Sequence, residues 1–318
     1  MISVPNHQQQ LSGNKELEKD FIIEYKLKQA REFETKGKYL HSIQIYHALI
    51  NDFPDFIDAY IYLASIYEQI NNLDSAEEIF KQVLSIAPDD ADIQINFAQL
   101  LIRKMDWSGA IILLNNMNPE KHPIISFLIG ISYLFLNEHD LAKINFLNFV
   151  ASDEQPELIC EAYLFLAKID LHLNKYENAL KYIRRAETFL DDYWELYLLY
   201  ARLYFEQEMF THSLEYLQKA VSGNSKNIIV NYWAGKIYLK MNENKKAQFY
   251  MNHYLDLIEE SASADYIDKT KKHLKSGKFK DALISFEIAD YYINKKNFVD
   301  NPGNPTTESS QKLDGTDD

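Results

Sequence analysis

The stretch IDAYIYLASIYEQINNLDSAEEIFKQVLSIAPDD, residues 57–90, decides how the chain folds. Its first half spaces Tyr60, Leu63, Ala64 and Tyr67 at i, i+3, i+4 and i+7. This spacing puts the four side chains on one stripe of an α-helix. The first half therefore predicts an amphipathic helix.

A second apolar stripe in the same stretch is formed by Ala76, Phe80 and Val83. Only Asn71–Asn72 separates the stripes, which leaves room for a tight helix–helix turn, and Asn tolerates the left-handed backbone that ends a helix. Pro88 cannot continue the second helix because it has no N–H and clashes with the preceding turn. The two aspartates that follow offer oxygens to cap the next helix. The whole stretch predicts a helical hairpin.

The same pattern recurs along the chain at a nearly constant step, which is 34 residues in four of the seven intervals. Units begin near residues 23, 57, 91, 123, 160, 194, 228 and 263. The eighth place of a unit is small in seven of eight units: Ala30, Ala64, Ala98, Gly130, Ala167, Ala201 and Gly235, with Thr270 in the last. The twentieth place is also small: Ser42, Ala76, Ala110, Ala142, Ala179, Ser213, Ala247 and Ala282. Small residues at both places predict that the two helices of a pair cross closely there.

Two further places support this register. The twenty-fourth place is bulky and apolar: Tyr46, Phe80, Leu114, Phe146, Ile183, Leu217, Met251 and Phe286. The fifteenth place, in the turn, is Gly37, Asn71, Asn137, Asn174, Asn242 and Gly277 in six units. Gly and Asn adopt positive φ most easily, so these residues predict a left-handed turn.

With these places filled, the chain resembles the tetratricopeptide-repeat (TPR) family over roughly Asp20 to Lys296, with about eight repeats. The first unit departs from the family pattern at Lys26 and the last at Lys269–Thr270. The resemblance implies an all-α fold, a right-handed superhelical α-solenoid of helical hairpins. We expect a disordered leader over residues 1–18 that becomes helical near Glu16. The solenoid is expected over residues 19–297 and a disordered acidic tail over residues 298–318.

Composition restricts the classes of partner. The net charge of −14 disfavours nucleic acid and anionic membranes, since both need a basic surface. The single cysteine, Cys160, excludes an internal disulfide and a cysteine-based zinc site. The longest apolar run, Phe127–Leu136, is shorter than the roughly 20 residues that span a bilayer. The first residues lack the pattern of a secretory signal, and we expect a cytoplasmic protein.

No chemistry-bearing motif appears, neither a glycine-rich phosphate loop, nor a nucleophile elbow, nor an HExxH sequence. The histidines are scattered without the spacing of metal ligands. Cys160, near a helix N-terminus, suggests either a reactive thiol or, more simply, a small packing residue. We predict no enzymatic activity, no cofactor and no metal.

The resemblance also implies that the first helices of successive units line a concave groove that binds peptides. Lys168, Arg202 and Lys236 hold the ninth place in units five, six and seven, and Arg31 holds it in unit one. Such a row of cations would suit an acidic peptide or a chain-end carboxylate. In the alternative, each cation pairs with an inner-face acid such as Glu161 or Glu195.

Unit four carries a second feature in the same groove. Its inner stripe reads Ile124, Phe127, Ile131 and Leu134, with Phe135 following. An exposed apolar patch of this size marks a binding site. Because the spacing is irregular on either side of this unit, the helix could instead be buried all round.

These features predict a non-catalytic adaptor or scaffold that binds a protein or peptide with acidic residues and an apolar anchor. The alternative is a structural subunit that forms a homo-oligomer through the unit-four patch. In TPR domains that bind chaperone tails, set inner places carry Lys and Asn. Here those places hold Leu27, Arg31, Ser65, Ile95 and Gln99, so chaperone tails are not the expected partner.

Overall fold

The computed structural model describes residues 7–152, 155–190, 193–258 and 271–272, with side chains from residue 18 onward except at 157. Apart from residues 271–272, the eighth unit and the acidic tail lie outside the described residues, and the domain boundaries predicted there stay predictions. Within the described ranges the backbone forms fourteen α-helices and no strand, so the all-α fold is confirmed.

The helices pair into seven consecutive hairpins, one for each of the first seven predicted units. They are α1 (His7–Thr35), α2 (Tyr39–Asp52), α3 (Ile57–Gln69), α4 (Leu73–Ile86), α5 (Ala91–Arg103), α6 (Trp107–Leu114), α7 (Ile124–Phe135), α8 (His139–Val150), α9 (Pro156–His172), α10 (Tyr176–Glu187), α11 (Trp194–Glu206), α12 (Phe210–Gly223), α13 (Ile228–Lys240) and α14 (Asn244–Ile258). Helix α1 begins at His7, well before the predicted start near Glu16. The Gln, Leu, Glu and Lys residues of this segment are good helix formers, which favours the longer helix.

The stretch that decides the fold forms the hairpin α3/α4, as its pattern predicts. Asn71 adopts φ 58° in the turn. The side chain of Asn72 accepts a hydrogen bond of 3.3 Å from the backbone N–H of Ser75 and so caps α4. Beyond Pro88, Asp90 Oδ1 accepts from the N–H groups of the first residues of α5 and caps that helix in turn. Local capping therefore fixes the start of the second helix of this hairpin and the start of the next hairpin.

The fifteenth place takes positive φ in all seven described hairpins. The residues are Gly37, Asn71, Met105, Asn137, Asn174, Glu208 and Asn242, with φ between 57° and 66°. Gly and Asn accept this conformation at little cost. Met105 and Glu208 adopt it although their side chains disfavour it, which shows that the repeat geometry overrides local preference at these two turns.

The interior of each hairpin is built on the three places that the sequence singles out. The eighth, twentieth and twenty-fourth places are buried in all seven described units. A Cβ atom at Gly130 would lie 2.9 Å from a ring carbon of Phe146, and one at Gly235 would lie 2.7 Å from Met251 Cγ. Small residues at the eighth place thus make room for the bulky twenty-fourth, and the predicted close crossing is confirmed.

Neighbouring helices pack in chain order within two compact units, Met1–Met117 and Asn118–Asp318. The first unit contains α1 to α6, in which each helix packs against the next. In the second unit, α7 to α14 pack in the same way, and α11 also contacts α9 and α13. The first helices α9, α11 and α13 are therefore neighbours. The boundary falls where the repeat step shortens to 32 residues.

Candidate interaction surface

The cations at the ninth place lie on three neighbouring helices of the second unit. Lys168 is on α9, Arg202 on α11 and Lys236 on α13, and all three side chains are partly buried. Because α11 contacts both α9 and α13, the three residues belong to one surface, which we call the α9–α11–α13 face.

Lys168 has an acid and a ring as partners. Its Nζ lies 2.5 Å from Glu195 Oε1 on α11, and 5.1 Å from the centre of the Phe165 ring one helical turn earlier on α9. The ion pair links α9 to α11. Lys168 thus pairs with an inner-face acid, which is the alternative that the sequence left open.

Arg202 and Lys236 share one aromatic partner, Trp233. The Arg202 guanidinium carbon lies 4.5 Å from the centre of the Trp233 ring, and Lys236 Nζ lies 4.7 Å from it. Lys236 is also 5.9 Å from the Phe205 ring, which meets Trp233 edge-on with a centroid distance of 6.0 Å. A cation over an aromatic face is held by the quadrupole of the ring. These four side chains form what we call the Trp233 cluster.

A similar contact between a cation and a ring occurs in the compact unit Met1–Met117. Arg31, at the ninth place of its hairpin, stacks on Tyr62, at the sixth place of the next hairpin, with 5.3 Å between the guanidinium carbon and the ring centre. Arg31 also donates a hydrogen bond of 3.0 Å to the Tyr62 hydroxyl. Arg202 and Trp233 hold the corresponding places in units six and seven. The contact between a ninth-place arginine and a sixth-place ring thus follows from the repeat geometry.

Glu161 brings a titratable group to the α9 end of the face. Burial raises the pKa of Glu161 to about 7, the nearby Glu195 carboxylate adds to the rise, and Lys168 opposes it. The α9 end of the face therefore holds two carboxyl groups around one ammonium, and its charge changes near neutral pH.

The predicted apolar patch of unit four is largely core. Phe127 is 1% exposed and Ile131 is fully buried, while Ile124, Leu134 and Phe135 are partly buried. The ring of Phe127 packs among those of Phe146, Phe149 and Phe165, with centroid distances between 5.1 and 6.3 Å. The expectation of an open patch is wrong for Phe127 and Ile131, and helix α7 has the all-round burial of the alternative. Eight of its residues are buried because apolar residues occupy nearly its whole circumference.

Phe165 connects the two predicted features. It packs parallel to Phe146 at 5.2 Å in the phenylalanine cluster and carries Lys168 over its ring. The phenylalanine cluster of unit four thus packs against the ring that Lys168 contacts at the α9 end of the α9–α11–α13 face.

Cys160 is a packing residue. It is 4% exposed, and its thiol donates a long hydrogen bond of 3.8 Å to the Ala186 carbonyl oxygen. Burial, together with the carboxylates of Glu195 and Glu161, raises the pKa of the thiol to about 12. A thiol with this pKa stays protonated and is a poor nucleophile. Across the described residues, no three His, Cys, Asp or Glu side chains group as a metal site would require.

Sequence reasoning did not identify Trp233, Phe205 and Phe165 as part of the site. A signal for them is present, because an aromatic residue lies three positions from each cation on the same helix: Phe165 before Lys168, Phe205 after Arg202 and Trp233 before Lys236. Residues three apart are neighbours on a helix surface. The raised pKa of Glu161 depends on burial between helices and has no such signal.

The fold and this face define an all-α helical repeat protein with a charged and aromatic face on its first helices. Two family models, both described as tetratricopeptide repeat, match the chain, one over residues 35–94 and 72–123 and the other over residues 161–188 and 229–261. The chain is a tetratricopeptide-repeat protein, as the residue pattern predicts.

Solved structures share this fold. A tetratricopeptide repeat protein from Parabacteroides merdae is 18% identical, with a TM-score of 0.64, and the match covers 80% of this chain and 99% of that one. PilF from Pseudomonas aeruginosa is 18% identical, with a TM-score of 0.50, and the match covers 68% of this chain and 97% of that one. At this identity the likeness shows the fold alone. No protein of curated function matches the chain. None of the described helices is both long and apolar enough to cross a membrane.

Proposed function

We propose that this protein is a non-catalytic, cytoplasmic scaffold that holds an extended or helical segment of a partner protein on the α9–α11–α13 face. Its repeat fold is one that serves protein–protein interaction. The observation that carries the proposal is the alignment of Lys168, Arg202 and Lys236 on three neighbouring helices, each cation beside an aromatic ring.

This combination of groups suits a peptide. The cations supply charge-assisted hydrogen bonds to carboxylates, which are about twice as strong as those between neutral groups. The rings of Phe165, Phe205 and Trp233 supply apolar contact and hold the long cationic side chains, which lowers the entropy lost on binding. The proposed partner segment therefore carries acidic residues and apolar side chains together.

The test is a charge reversal of the whole face. Lys168→Glu, Arg202→Glu and Lys236→Glu are combined in one variant, and proteins of the native organism that it captures are quantified by mass spectrometry against those captured by the unaltered chain. Partners of the face should be lost from the variant. Circular dichroism and thermal unfolding establish that the variant is folded.

The matched control carries the same number of reversals elsewhere, at the exposed residues Lys181, Arg184 and Lys226. It should retain the partners, because these residues lie outside the α9–α11–α13 face. If both variants capture the same proteins as the unaltered chain, the face is not the binding surface and the proposal is wrong.

A second candidate function, self-association through unit four, is favoured by a different part of that unit. Because Phe127 and Ile131 are buried, they are not available for an interface. Helix α8 instead exposes Leu141, Ile144 and Leu147, which are 38–53% accessible. Sedimentation velocity over a range of concentrations tests this function. A dimer that Ile144→Asp dissociates supports it, and a monomer at every concentration rejects it.

A further inference from the structure

We propose that the outward side of helix α1 is a self-association surface, on which two copies of the chain pair their α1 helices antiparallel, with Phe21 of one copy against Tyr25 of the other. The surface, which we call the α1 stripe, consists of Glu18, Phe21, Tyr25, Lys28 and Glu32. It lies in the compact unit Met1–Met117, whereas the α9–α11–α13 face lies in the other compact unit. The inference therefore goes beyond the proposed function and does not depend on it.

In five later hairpins, the third and tenth places of the first helix are buried. The first helices α3, α5, α9, α11 and α13 each pack against the second helix that precedes them. At these two places they carry apolar residues that are at most 2% exposed: Ala59, Ile66, Ile93, Leu100, Ala162, Ile169, Leu196, Leu203, Val230 and Ile237. In the first hairpin the same places hold Tyr25 and Glu32, and both are exposed. No described helix precedes α1, so the stripe that later hairpins bury is open there.

The α1 stripe has the spacing of a helix–helix seam. Its five residues follow one another at alternating steps of three and four along the helix. This spacing keeps one line of side chains facing a single partner helix. Phe21 is 70% exposed and Tyr25 is 56% exposed, so two neighbouring rings lie in water at the middle of the seam. The stripe therefore offers an apolar centre for a second helix.

The opposite side of α1 holds the helix in place. Lys19 Nζ lies 3.0 Å from Asp55 Oδ2, and Lys26 Nζ lies 2.6 Å from Asp52 Oδ2. Asp52 ends α2, and Asp55 follows it in the connection to α3. These ion pairs join α1 to the rest of its compact unit, so the α1 stripe is presented on a helix that is already positioned. A preorganised surface binds at lower entropic cost than one that must first be ordered.

The charges beside the two rings favour a second copy as the occupant. Glu18 lies one turn before Phe21, and Lys28 lies one turn after Tyr25. In an antiparallel pair with its two-fold axis near residue 23, each Phe21 meets a Tyr25 and each Glu18 meets a Lys28, so the contact is self-complementary. In a parallel pair in register, like charges would face each other, which is unfavourable. The order of acid, ring, ring and base thus fits an antiparallel copy of the same helix.

The size of the contact sets its strength. An aromatic side chain buries about 150–250 Å². Four rings that are 56–70% exposed therefore offer about 400–600 Å² of apolar surface. A stable interface buries about 1,200–2,000 Å², of which the rings supply roughly a third. We expect a reversible dimer with a dissociation constant of roughly 1–100 µM.

The experiment is sedimentation velocity on the full chain at concentrations from about 1 to 200 µM. The unaltered chain should shift from monomer to dimer over this range, and Phe21→Glu/Tyr25→Glu should stay monomeric. Phe249→Glu replaces a ring on α14 that is 65% exposed, and this control should dimerise like the unaltered chain. Ile144→Asp, on the exposed side of α8, should also dimerise. Circular dichroism establishes that each variant is folded.

A charge exchange tests the antiparallel arrangement. Glu18→Lys places a lysine opposite Lys28 of the other copy, and Lys28→Glu places a glutamate opposite Glu18. Each variant alone should weaken dimerisation about three- to tenfold, because like charges then face each other at two symmetric places. The double variant Glu18→Lys/Lys28→Glu restores opposite charges and should dimerise within about threefold of the unaltered chain.

Several results would overturn the inference. A monomer at every concentration, or a dimer that Phe21→Glu/Tyr25→Glu leaves intact, shows that the α1 stripe does not pair with itself. A dimer that only Ile144→Asp dissociates assigns self-association to α8. A double charge variant as weak as the single ones contradicts the antiparallel arrangement. If the chain is monomeric and Phe21→Glu/Tyr25→Glu loses a protein that the unaltered chain captures, the occupant is a different protein and not a second copy.

Discussion

Lys168 on α9 forms an ion pair with Glu195 on α11, with 2.5 Å between Nζ and Oε1. Glu161, two turns before Lys168 on the same helix, has a second carboxyl group close enough for both partners to affect its pKa. One ammonium thus lies near two carboxyl groups, and it forms its ion pair with Glu195 on the neighbouring helix. The remaining carboxyl group, on Glu161, is protonated through much of the acidic range.

This arrangement predicts that Glu161→Gln stabilises the protein by an amount that grows as pH rises from about 4.5 to about 7 and is constant above that. Burial raises the pKa of Glu161 from 4.5 to about 7 in the folded state. Between these two pH values the unfolded chain releases the proton while the folded chain keeps it, so folding becomes less favourable as pH rises and then levels off above 7. Glutamine has no such cost, and the variant should gain up to about 3 kcal/mol at pH 8.

Urea unfolding at pH 4.5, 6 and 8 measures this difference. The gain should be absent at pH 4.5 and fully developed at pH 8. Glu177→Gln, at an exposed position on α10, is the control for the removal of one carboxyl charge. A stabilisation of Glu161→Gln that is equal at all three pH values would contradict the predicted ionisation.

The fold was predictable from the sequence because the residues that determine it act locally or repeat. Asn71 marks a turn by its own backbone preference, and Ala64 marks a helix crossing because it recurs at a fixed step. The burial of Phe127 was not predictable, since it depends on rings that α8 and α9 bring from other parts of the chain. The same holds for Arg202, whose aromatic partner Trp233 is on the next hairpin.

Asp170 and Lys143 provide a second prediction, on the stability of the α8–α9 contact. Lys143 Nζ donates to both carboxylate oxygens of Asp170, at 2.6 and 2.7 Å, and the Asp170 side chain is fully buried. Lys143→Met should destabilise the protein by about 3–5 kcal/mol, because it leaves a buried carboxylate without its ammonium. The double variant Lys143→Met/Asp170→Leu should recover most of the loss, since it removes both charges.

The free energy of unfolding of the two single variants and the double variant gives this coupling directly. Lys219 and Glu215 form an exposed i,i+4 pair at 3.3 Å and serve as the comparison. Breaking that pair with Lys219→Met should cost less than about 1 kcal/mol, because water screens it. Equal losses at the two sites would show that burial of Asp170 does not set the cost.

The eighth place gives a third prediction, which compares two glycines in the same structural position. A Cβ atom at Gly130 would lie 2.9 and 3.0 Å from carbons of the Phe146 ring, which is fully buried against Phe127. Gly130→Ala should therefore cost about 1–3 kcal/mol through overpacking. Gly235→Ala should cost a similar amount, because its Cβ would lie 2.7 Å from Met251 Cγ, an atom near the backbone of a side chain that is 1% exposed. Thermal unfolding of the two variants measures both losses, and a variant as stable as the unaltered chain at either site would contradict this explanation.

The turns give a fourth prediction, because two of them hold a residue unsuited to its backbone conformation. Glu208 has φ 59° and Met105 has φ 61°, and a side chain in this region costs roughly 1–2 kcal/mol. Glycine avoids that cost but loses more backbone entropy on folding, so Glu208→Gly should stabilise the protein by about 0.5–1 kcal/mol.

Gly37, at the same place with φ 66°, supplies the reverse experiment: Gly37→Ala should destabilise the protein by a similar amount. Apart from its chain neighbours, no described residue has a heavy atom within 4 Å of the position of a Cβ on Gly37, so the loss comes from the backbone rather than from a clash. Chemical unfolding of both variants at one pH measures the two changes. Shifts of opposite sign establish that the repeat geometry imposes the left-handed turn, and a loss of stability in both variants would show that the side chain of Glu208 contributes more than its backbone costs.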